Sequence, residues 1–189
     1  DVKKIIQRIP LQRQTMLFSA TIDNEVKVIA HEHMKHPEMV KAQSYVDKGK
    51  LEQVYYDLDR QTDKKFGLLV HVLNTEKPKL AMIFCGTRRM VDKIERNLNE
   101  NGIKAQAIHG GLSQNQRKRT LEQFHAGAFH VLVASDVAAR GLDIKNVSHI
   151  INYDIPRNAS EYIHRSGRTA RAGEEGKIIS LLGFTDYED

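Results

Sequence analysis

The run LAMIF at residues 80–84 has no polar interruption, which is typical of a strand buried on both faces of a sheet. Two similar runs follow it, VLVA at residues 131–134 and HIINY at residues 149–153. Strands of this kind belong to parallel sheets that helices cover on each side. The rest of the fold is therefore predicted outward from these three runs.

Helical patterns separate the apolar runs. An apolar stripe that ends at Leu98 and is closed by Gly102 predicts one helix, and Ser113 with Gln116 forms a capping box that starts the next. Further helices are predicted around residues 66–73 and 160–165, and further strands at residues 54–58, 105–108 and 178–182. This alternation predicts right-handed crossovers. The expected fold is α/β, with a doubly wound, mainly parallel sheet and helices on both faces.

The first 40 residues have a different pattern. Apolar spacing over residues 2–9 predicts a short helix, and QTMLFSA at residues 14–20 predicts a buried strand. A second helix is predicted from Asp23 or Asn24 to Met34. The polar stretch at residues 41–50 predicts a linker to a domain at residues 51–189.

Composition excludes several classes of protein. The 189 residues are 40% hydrophobic and 28% charged, which excludes collagen-like and wholly disordered chains. No apolar run reaches the ~18–20 residues of a membrane-spanning helix, so no membrane partner is expected. A single cysteine, without a CxxC pair, indicates a reducing cytoplasmic setting and no zinc site.

Charge suggests a class of partner. Lys and Arg number 29 against 24 Asp and Glu, a formal charge of +5. This balance is compatible with a mildly basic protein of any function, and it also suits a nucleic acid or nucleotide phosphate.

Polar motifs follow several of the predicted strands. After residues 131–134 the chain reads SDVAARGLDI, in which Gly141 permits close backbone approach and Asp143 can accept a hydrogen bond from a ribose hydroxyl. Taken alone, the segment is equally compatible with an ordinary loop that contains an Arg140–Asp143 ion pair.

The stretch HRSGRTAR at residues 164–171 places Arg168 and Arg171 three residues apart. Two guanidinium groups that converge in this way suit a polyphosphate, although a solvated charge run has the same composition. Two further segments, FCGTRR at residues 84–89 and HGGLSQNQR at residues 109–117, open helices whose N-termini can hold a phosphate. For Ser113, helix capping alone is a sufficient explanation.

Together and in this order, the motifs make the chain resemble the DEAD-box family of ATP-dependent RNA helicases over essentially its whole length. The stretch FSAT at residues 18–21 resembles the family's Ser-Ala-Thr motif, and Ile83-Phe84 onward resembles its fourth motif. Gln114-x-x-Arg117 resembles the Gln-x-x-Arg element. Residues 131–144 and 164–171 resemble the fifth and sixth motifs.

The resemblance implies a RecA-like fold and a role for single residues. Arg168 and Arg171 correspond to arginine fingers on ATP, and Asp143 to the ribose contact. Arg140 and His164 correspond to residues that couple the nucleotide site to the RNA site. The Ser-Ala-Thr motif places Ser19 and Thr21 among the implied catalytic residues. The implied RNA-backbone contacts are Thr87, Arg88, Gln114, Arg117, Ser135 and Gly141.

The chain departs from the family pattern at a few positions. Ser135 replaces a usual threonine and keeps its hydroxyl, and Ala170 replaces a common glycine. No G-x-x-x-x-G-K-[ST] and no Asp-Glu-Ala-Asp occurs in these residues. In the family those parts lie on the first RecA-like domain, so residues 1–40 are expected to be its tail and residues 51–189 the second domain.

The implied function is RNA-stimulated ATP hydrolysis by a longer protein, with Mg²⁺ held by the first domain and ATP shared between the domains. The chain alone is expected to be inactive, and RNA to be bound mainly through its sugar-phosphate backbone. The expected location is the cytoplasm, or also the nucleus in a eukaryote. Two alternatives stay open: a non-enzymatic RNA-binding module, and a DNA-directed helicase of the wider group.

Overall fold

The structure is a computed structural model that describes residues 2–19, 22, 24–40, 48–139, 142, 144, 147–170 and 174–187. The chain divides into two compact units, Asp1–Gln43 and Ser44–Asp189. Among the helices described, none is both long and apolar enough to cross a membrane.

The first unit contains two helices, α1 (Val2–Ile6) and α2 (Asn24–His33). Both predicted helices are therefore confirmed, although α1 is shorter than the predicted span. The predicted strand is wrong, because residues 14–19 form no strand and Met16 and Phe18 are 68% and 86% exposed. A strand needs a hydrogen-bonded neighbour, and none of this unit's described residues provides one.

The second unit is built on one six-stranded sheet in which all pairs are parallel. The strands are β1 (Leu51–Asp57), β2 (Ala81–Phe84), β3 (Ala105–Ile108), β4 (Val131–Ala134), β5 (His149–Asn152) and β6 (Gly176–Leu182). Their order across the sheet is β1-β6-β5-β2-β4-β3. Of the strands that the structure describes, the first therefore lies at an edge and pairs only with the last, Leu51 opposite Gly176.

The described residues of this unit form five helices: α3 (Lys65–Glu76), α4 (Arg88–Glu100), α5 (Gln114–His125), α6 (Asp136–Ala139) and α7 (Ala159–Ser166). Single 3₁₀ turns lie at Lys48–Lys50, Thr62–Lys64 and Phe184–Tyr187. The capping box of Ser113 with Gln116 is present, and Gly102 has the positive φ of 78° expected beyond a helix end.

Two apolar clusters lie on opposite faces of the sheet, because successive strand residues point to opposite sides. Ile83 and Val133 belong to the cluster that includes residues of α3 and α4, whereas Met82 and Leu132 belong to the cluster that includes Phe124 of α5. Helices therefore cover both faces, which confirms the predicted doubly wound α/β fold.

Candidate functional site

The segments that carry the predicted site residues leave the sheet at its carboxyl edge. Strands β5, β2, β4 and β3 are neighbours in the sheet, so the segments that follow them start side by side. Ligands of open parallel sheets bind outside this edge. The described segments with candidate site residues therefore start at the edge where a ligand of such a sheet would bind.

The buried centre of this edge is Arg165 of α7, a residue 2% exposed. Its Nε and Nη2 donate to the two carboxylate oxygens of Asp136 at 2.7 and 2.8 Å. Its Nη1 donates to Asn152 Oδ1 at 2.9 Å and to the Asp154 carbonyl at 2.6 Å. The guanidinium carbon lies 4.9 Å from the ring centroid of Phe84. The buried charge is thus paired, hydrogen-bonded and stacked.

The segment after β2 is fixed to the segment after β5. Gly86 N donates to Asp154 Oδ2 at 2.8 Å. The next residue, Thr87, caps α4 by accepting a hydrogen bond from Met90 N at 3.1 Å. Thr87 and Arg88 are exposed, so the start of this 13-residue helix faces solvent.

Two predicted RNA contacts, Arg88 and Arg117, meet at the turn after β3. A Cβ added to Gly110 would lie 2.9 Å from Arg88 Nη2, and Arg117 Nη2 donates to the His109 carbonyl at 3.4 Å. Among the buried side-chain nitrogens and oxygens of the described residues, only Arg117 Nε lacks a hydrogen-bond partner. Gln114 is exposed at the first position of α5. Arg88, Arg117 and Gln114 therefore form a cationic corner, in which Arg117 Nε is a donor without a hydrogen-bond partner.

His109 positions this corner, because its Nε2 lies 2.9 Å from Asp92 Oδ1 on α4 and its Nδ1 accepts from Gly111 N at 3.1 Å. The predicted contact Ser135 follows β4 and is 8% exposed. Its carbonyl accepts from the nitrogens of Ala138 and Ala139 at the end of α6. Its backbone therefore anchors α6 to the sheet.

On the predicted nucleotide side, Arg168 is partly exposed and its Nη1 donates to the Leu142 carbonyl at 2.5 Å. Arg168 and His164 line a small cavity together with Asp136 and Arg165. Arg140, Gly141, Asp143, Arg171 and Thr21 lie outside the described residues. Ser19 is exposed and belongs to the first unit.

Ala170 has a left-handed backbone, with φ of 50°, and is buried. This is the position where the resemblance expects glycine, the residue that accepts such a φ without strain. The neighbouring Thr169 hydroxyl donates to the Val147 carbonyl at 2.5 Å. Thr169 and Ala170 are thus held tightly by their surroundings.

Cys85 is fully buried at the end of β2. Burial raises the pKa of its thiol far above the ordinary range, with the nearby Asp154 carboxylate adding to the effect. The thiol is therefore protonated and unreactive, as expected for a small buried apolar side chain.

Sequence reasoning missed Arg165, Asp154 and the His109–Asp92 pair. A usable signal existed for Asp154, because it follows a strand of the sheet as the predicted residues do. Arg165 stood within a quoted motif, but its role depends on burial, which a local charge pattern does not reveal.

Comparison with known proteins assigns residues 64–173 to a family described as the helicase conserved C-terminal domain. The chain is 44% identical over 182 residues to the DEAD-box ATP-dependent RNA helicase CshA of Geobacillus kaustophilus, covering 96% of this chain and 39% of that protein. It is 42% identical to CshA of Bacillus subtilis, covering 96% and 37%. The chain thus spans about two fifths of the length of these relatives.

Solved structures agree with this result. The crystal structure of the Escherichia coli DEAD-box protein SrmB, bound to regulator of ribonuclease activity A, has a TM-score of 0.69 and 40% identity over 73% of this chain and 81% of that chain. Saccharomyces cerevisiae Dbp5, bound to RNA and ADP BeF3, has a TM-score of 0.82 and 29% identity over 99% of this chain and 52% of that chain.

Proposed function

Because the chain belongs to the DEAD-box family and contains its helicase C-terminal domain, we propose that it is the second RecA-like lobe of an ATP-dependent RNA helicase. Residues 51–189 form this lobe, residues 41–50 the linker, and residues 1–40 the tail of the first lobe. The observation that carries the proposal is that Arg88 and Arg117 lie at the same turn, at the carboxyl edge of the sheet. At this edge, backbone carbonyls also accept hydrogen bonds from Arg165 and Arg168.

RNA binds, in this proposal, at the cationic corner formed by Arg88, Arg117 and Gln114. Guanidinium groups and helix N-termini contact phosphate oxygens, which positions a strand without reading its sequence. Arg88 and Arg117 form no ion pair with a carboxylate among the described residues, and the Asp92 carboxylate of this corner is paired with His109. The similarity to Saccharomyces cerevisiae Dbp5, which is bound to RNA in its structure, supports RNA as the class of ligand.

The nucleotide side fits the phosphates of ATP by the chemistry of its donors. Arg168 is partly exposed, and its Nη1 donates to the Leu142 carbonyl at this edge of the sheet. A planar guanidinium group matches the geometry of phosphate oxygens. Arg168, with Arg171 and Asp143, would hold the phosphates and the ribose, and the first lobe would hold Mg²⁺. When bound, ATP supplies the phosphoanhydride bond that is hydrolysed.

The mechanism follows from dividing each site between two lobes. This lobe contributes the cationic corner to the RNA site and Arg168 and Arg171 to the nucleotide site. All contacts form at once only in a closed arrangement, so the two ligands favour closure together. Arginine fingers that complete a phosphoryl-transfer site on closure supply on the order of 10³–10⁵ in rate.

A test uses the full-length protein that contains this chain. Arg168→Ala should lower RNA-stimulated ATP hydrolysis by on the order of 10³-fold and leave RNA affinity without nucleotide unchanged. Arg96→Ala, an exposed arginine of α4, is the matched control and should keep full activity. Equal loss of RNA affinity in Arg168→Ala would refute the finger assignment. Stimulation by single-stranded DNA as strong as by RNA would favour a DNA-directed helicase.

RNA binding is tested on the 189-residue chain itself. Arg88→Ala and Arg117→Ala should each reduce the slope of log affinity against log salt by about 1, because each removes one phosphate contact. Arg96→Ala should leave the slope unchanged. RNA binding without any ATPase activity in the full-length protein would favour the non-enzymatic RNA-binding module.

A further inference from the structure

The two edges of the sheet differ in how well they are protected from a further strand. β3, at one edge, has four residues, whereas β1, at the other, has seven, as many as β6 and more than any other described strand. Natural proteins protect an exposed edge with short strands, prolines or bulges. β1 contains no proline, and its one-to-one register with β6 over all seven residues contains no bulge. The β1 edge is therefore suited to pairing with another strand.

One hydrogen bond identifies the backbone groups at this edge. Leu58 N donates to Leu182 O of β6 at 3.0 Å. The backbone groups of successive strand residues point to opposite sides, so the even-numbered residues of β1 face β6. The N–H and C=O groups that point away from β6 therefore belong to Leu51, Gln53, Tyr55 and Asp57. Among the described strands, none lies on that side of β1.

Two aromatic side chains flank the same edge. Tyr55 is 69% exposed and Tyr56 is 40% exposed. They point to opposite faces of the sheet, because successive strand residues alternate. An added strand would cover part of both rings, since side chains of neighbouring strands pack against each other. Pairing at this edge would therefore bury aromatic surface on both faces.

The charges along β1 indicate which strand fits. Lys50 is exposed and immediately precedes β1, whereas Asp57 and Asp59 are exposed at its other end. Asp59 N donates to Asp57 Oδ1 at 2.8 Å, which holds the two acidic residues together. A copy of β1 in parallel orientation would place like charges side by side. An antiparallel copy places Lys50 beside the two carboxylates, so the charges of the edge are complementary to themselves.

We propose that β1 pairs with β1 of a second copy of this chain, in antiparallel orientation and centred on Val54. Gln53 of each copy then lies opposite Tyr55 of the other, and these two pairs form about four hydrogen bonds. Leu51 lies opposite Asp57, which extends the ladder to both ends of the strand. The contact is isologous, because the same residues serve both copies across a two-fold axis.

The alternate positions fit the same register. Glu52 lies opposite Tyr56 of the second copy, and Lys50 lies beside Asp57 and Asp59 of that copy. Because the two sheets run in opposite directions, their carboxyl edges face opposite ways. The cationic corners also stay uncovered, since each is built at β3 and its neighbours, away from β1. This inference is independent of the proposed function.

Disulfide formation in the 189-residue chain tests the register. In the Glu52→Cys and Tyr56→Cys double variant, the thiols of two copies come from a non-hydrogen-bonded pair whose Cα atoms lie about 4.5 Å apart. Within one copy these positions are about 13 Å apart, too far for a disulfide. Mild oxidation should therefore convert most of the chain to a covalent dimer on a non-reducing gel. The native Cys85 is fully buried and should not react.

The matched control is the Glu52→Cys and Tyr55→Cys double variant, which has the same number of added thiols. Its cysteines point to opposite faces of the strand, so it should give less than about a tenth of that covalent dimer. Equal yields from the two pairs would overturn the inference.

Sedimentation equilibrium tests the contact without cysteines. The wild-type chain should show a concentration-dependent equilibrium between monomer and dimer. Tyr55→Pro removes an N–H that points away from β6, so it keeps the ladder within the chain and should weaken dimerisation at least about 10-fold. Tyr55→Thr keeps this N–H and should weaken dimerisation by less than about 3-fold.

Circular dichroism melting checks that both Tyr55 variants fold, and the cysteine pairs decide the question if Tyr55→Pro does not. A wild-type chain that stays monomeric at every concentration its solubility allows would overturn the inference. Dimerisation that a folded Tyr55→Pro leaves unchanged would also overturn it, because the contact would then lie elsewhere. Neither result bears on the RNA and nucleotide sites at the carboxyl edge.

Discussion

Charged side chains are paired differently at the two ends of the parallel sheet. At the amino end, Lys177 Nζ lies 2.9 Å from Glu76 Oε1 and 3.1 Å from Glu52 Oε1, and His149 Nε2 lies 3.5 Å from Glu76 Oε2. These groups line a cavity of about 540 Å³ and offset one another's charge. At the carboxyl end, Arg117 Nη2 donates to the His109 carbonyl, and the Arg88 guanidinium group occupies the space that a side chain at Gly110 would need.

This difference separates stabilisation from binding. A cation that is already paired with a carboxylate adds little binding free energy when a phosphate approaches. A cation without a carboxylate partner can form a full charge-assisted hydrogen bond with the phosphate. Ion pairs also occur at the carboxyl end, where Lys65 pairs with Asp186, His109 with Asp92, and the buried Arg165 with Asp136. The carboxyl end therefore combines one paired guanidinium that holds the structure with others that are available to a ligand.

The largest effect is expected from removing the carboxylate that pairs with the Arg165 guanidinium group. Asp136→Ala leaves Arg165, 2% exposed, without its carboxylate, and should lower the free energy of unfolding by about 3–5 kcal/mol. Urea unfolding of the 189-residue chain measures the loss. Glu122→Ala is the control, because its pair with Lys118 spans 3.9 Å and both side chains are more than half exposed; it should cost below ~1 kcal/mol. Similar losses in the two variants would contradict the distinction between paired and surface charge.

At the amino end of the sheet, Gly176→Ala is expected to disrupt the packing of β6. An added Cβ would overlap Thr169 Oγ1 and lie 2.7 Å from the Ala170 nitrogen, so β6 and the end of the sixth motif must separate. We expect a loss of about 1–3 kcal/mol in thermal or urea unfolding. Gly67→Ala is the matched control, because this helical glycine has no atom within 4 Å of its added Cβ and should gain about 0.5–1 kcal/mol. A stabilised Gly176→Ala would show that the close approach does not exist.

A smaller effect is expected when the amino-end charges are titrated. Burial lowers the pKa of His149, and the hydrogen bond from Lys177 lowers the pKa of Glu76. A pKa lowered by folding gives stability that is present above the ordinary value and lost as the pH falls through the folded value. Stability should therefore decline below pH 6.5 through His149 and below pH 4.5 through Glu76, by under ~1 kcal/mol each.

The measurement is the melting temperature against pH. His149→Gln should remove the upper part of the decline, and Glu76→Gln the lower part. If both variants kept the wild-type profile, the amino-end cluster would not contribute to acid sensitivity.

An effect of similar size but opposite sign is expected from Ala170→Gly. The left-handed φ of 50° destabilises the folded state by about 1–2 kcal/mol when the residue is alanine. Glycine removes this strain, but it loses more backbone entropy on folding, which costs about 0.5–1 kcal/mol. We expect a net stabilisation of about 0.5–1 kcal/mol, measured as a higher melting temperature. Ala126→Gly, at a helix end with a right-handed backbone, should instead destabilise the chain. A loss of stability in both variants would mean that Ala170 is not strained.

Most of the fold could be predicted because its signals are local. The strands at residues 80–84 and 131–134 are uninterrupted apolar runs, and the capping box at Ser113 is readable within four residues. The failure at residues 14–20 has the same origin, since an apolar run predicts a strand only where a neighbouring strand pairs with it.

The candidate site was predicted only in part for a related reason. Arg88 and Arg117 could be named because each stands near the start of a helix that follows a strand. The partners of Arg165 stand 29, 13 and 11 positions away along the chain and meet only because β2 lies between β4 and β5. Strand order is a property of the whole sheet, so no local pattern in the sequence encodes that meeting.

The position of β1 also bears on how the lobe is made. Among the described strands its only hydrogen-bonded neighbour is β6, so the strand of this sheet that is synthesised first can pair only after the one that is synthesised last. Pairings between distant parts of a chain slow folding, because the intervening loop must close before any contact forms. The inner strands are therefore expected to assemble during synthesis, and docking of β1 onto β6 to be the final step of folding.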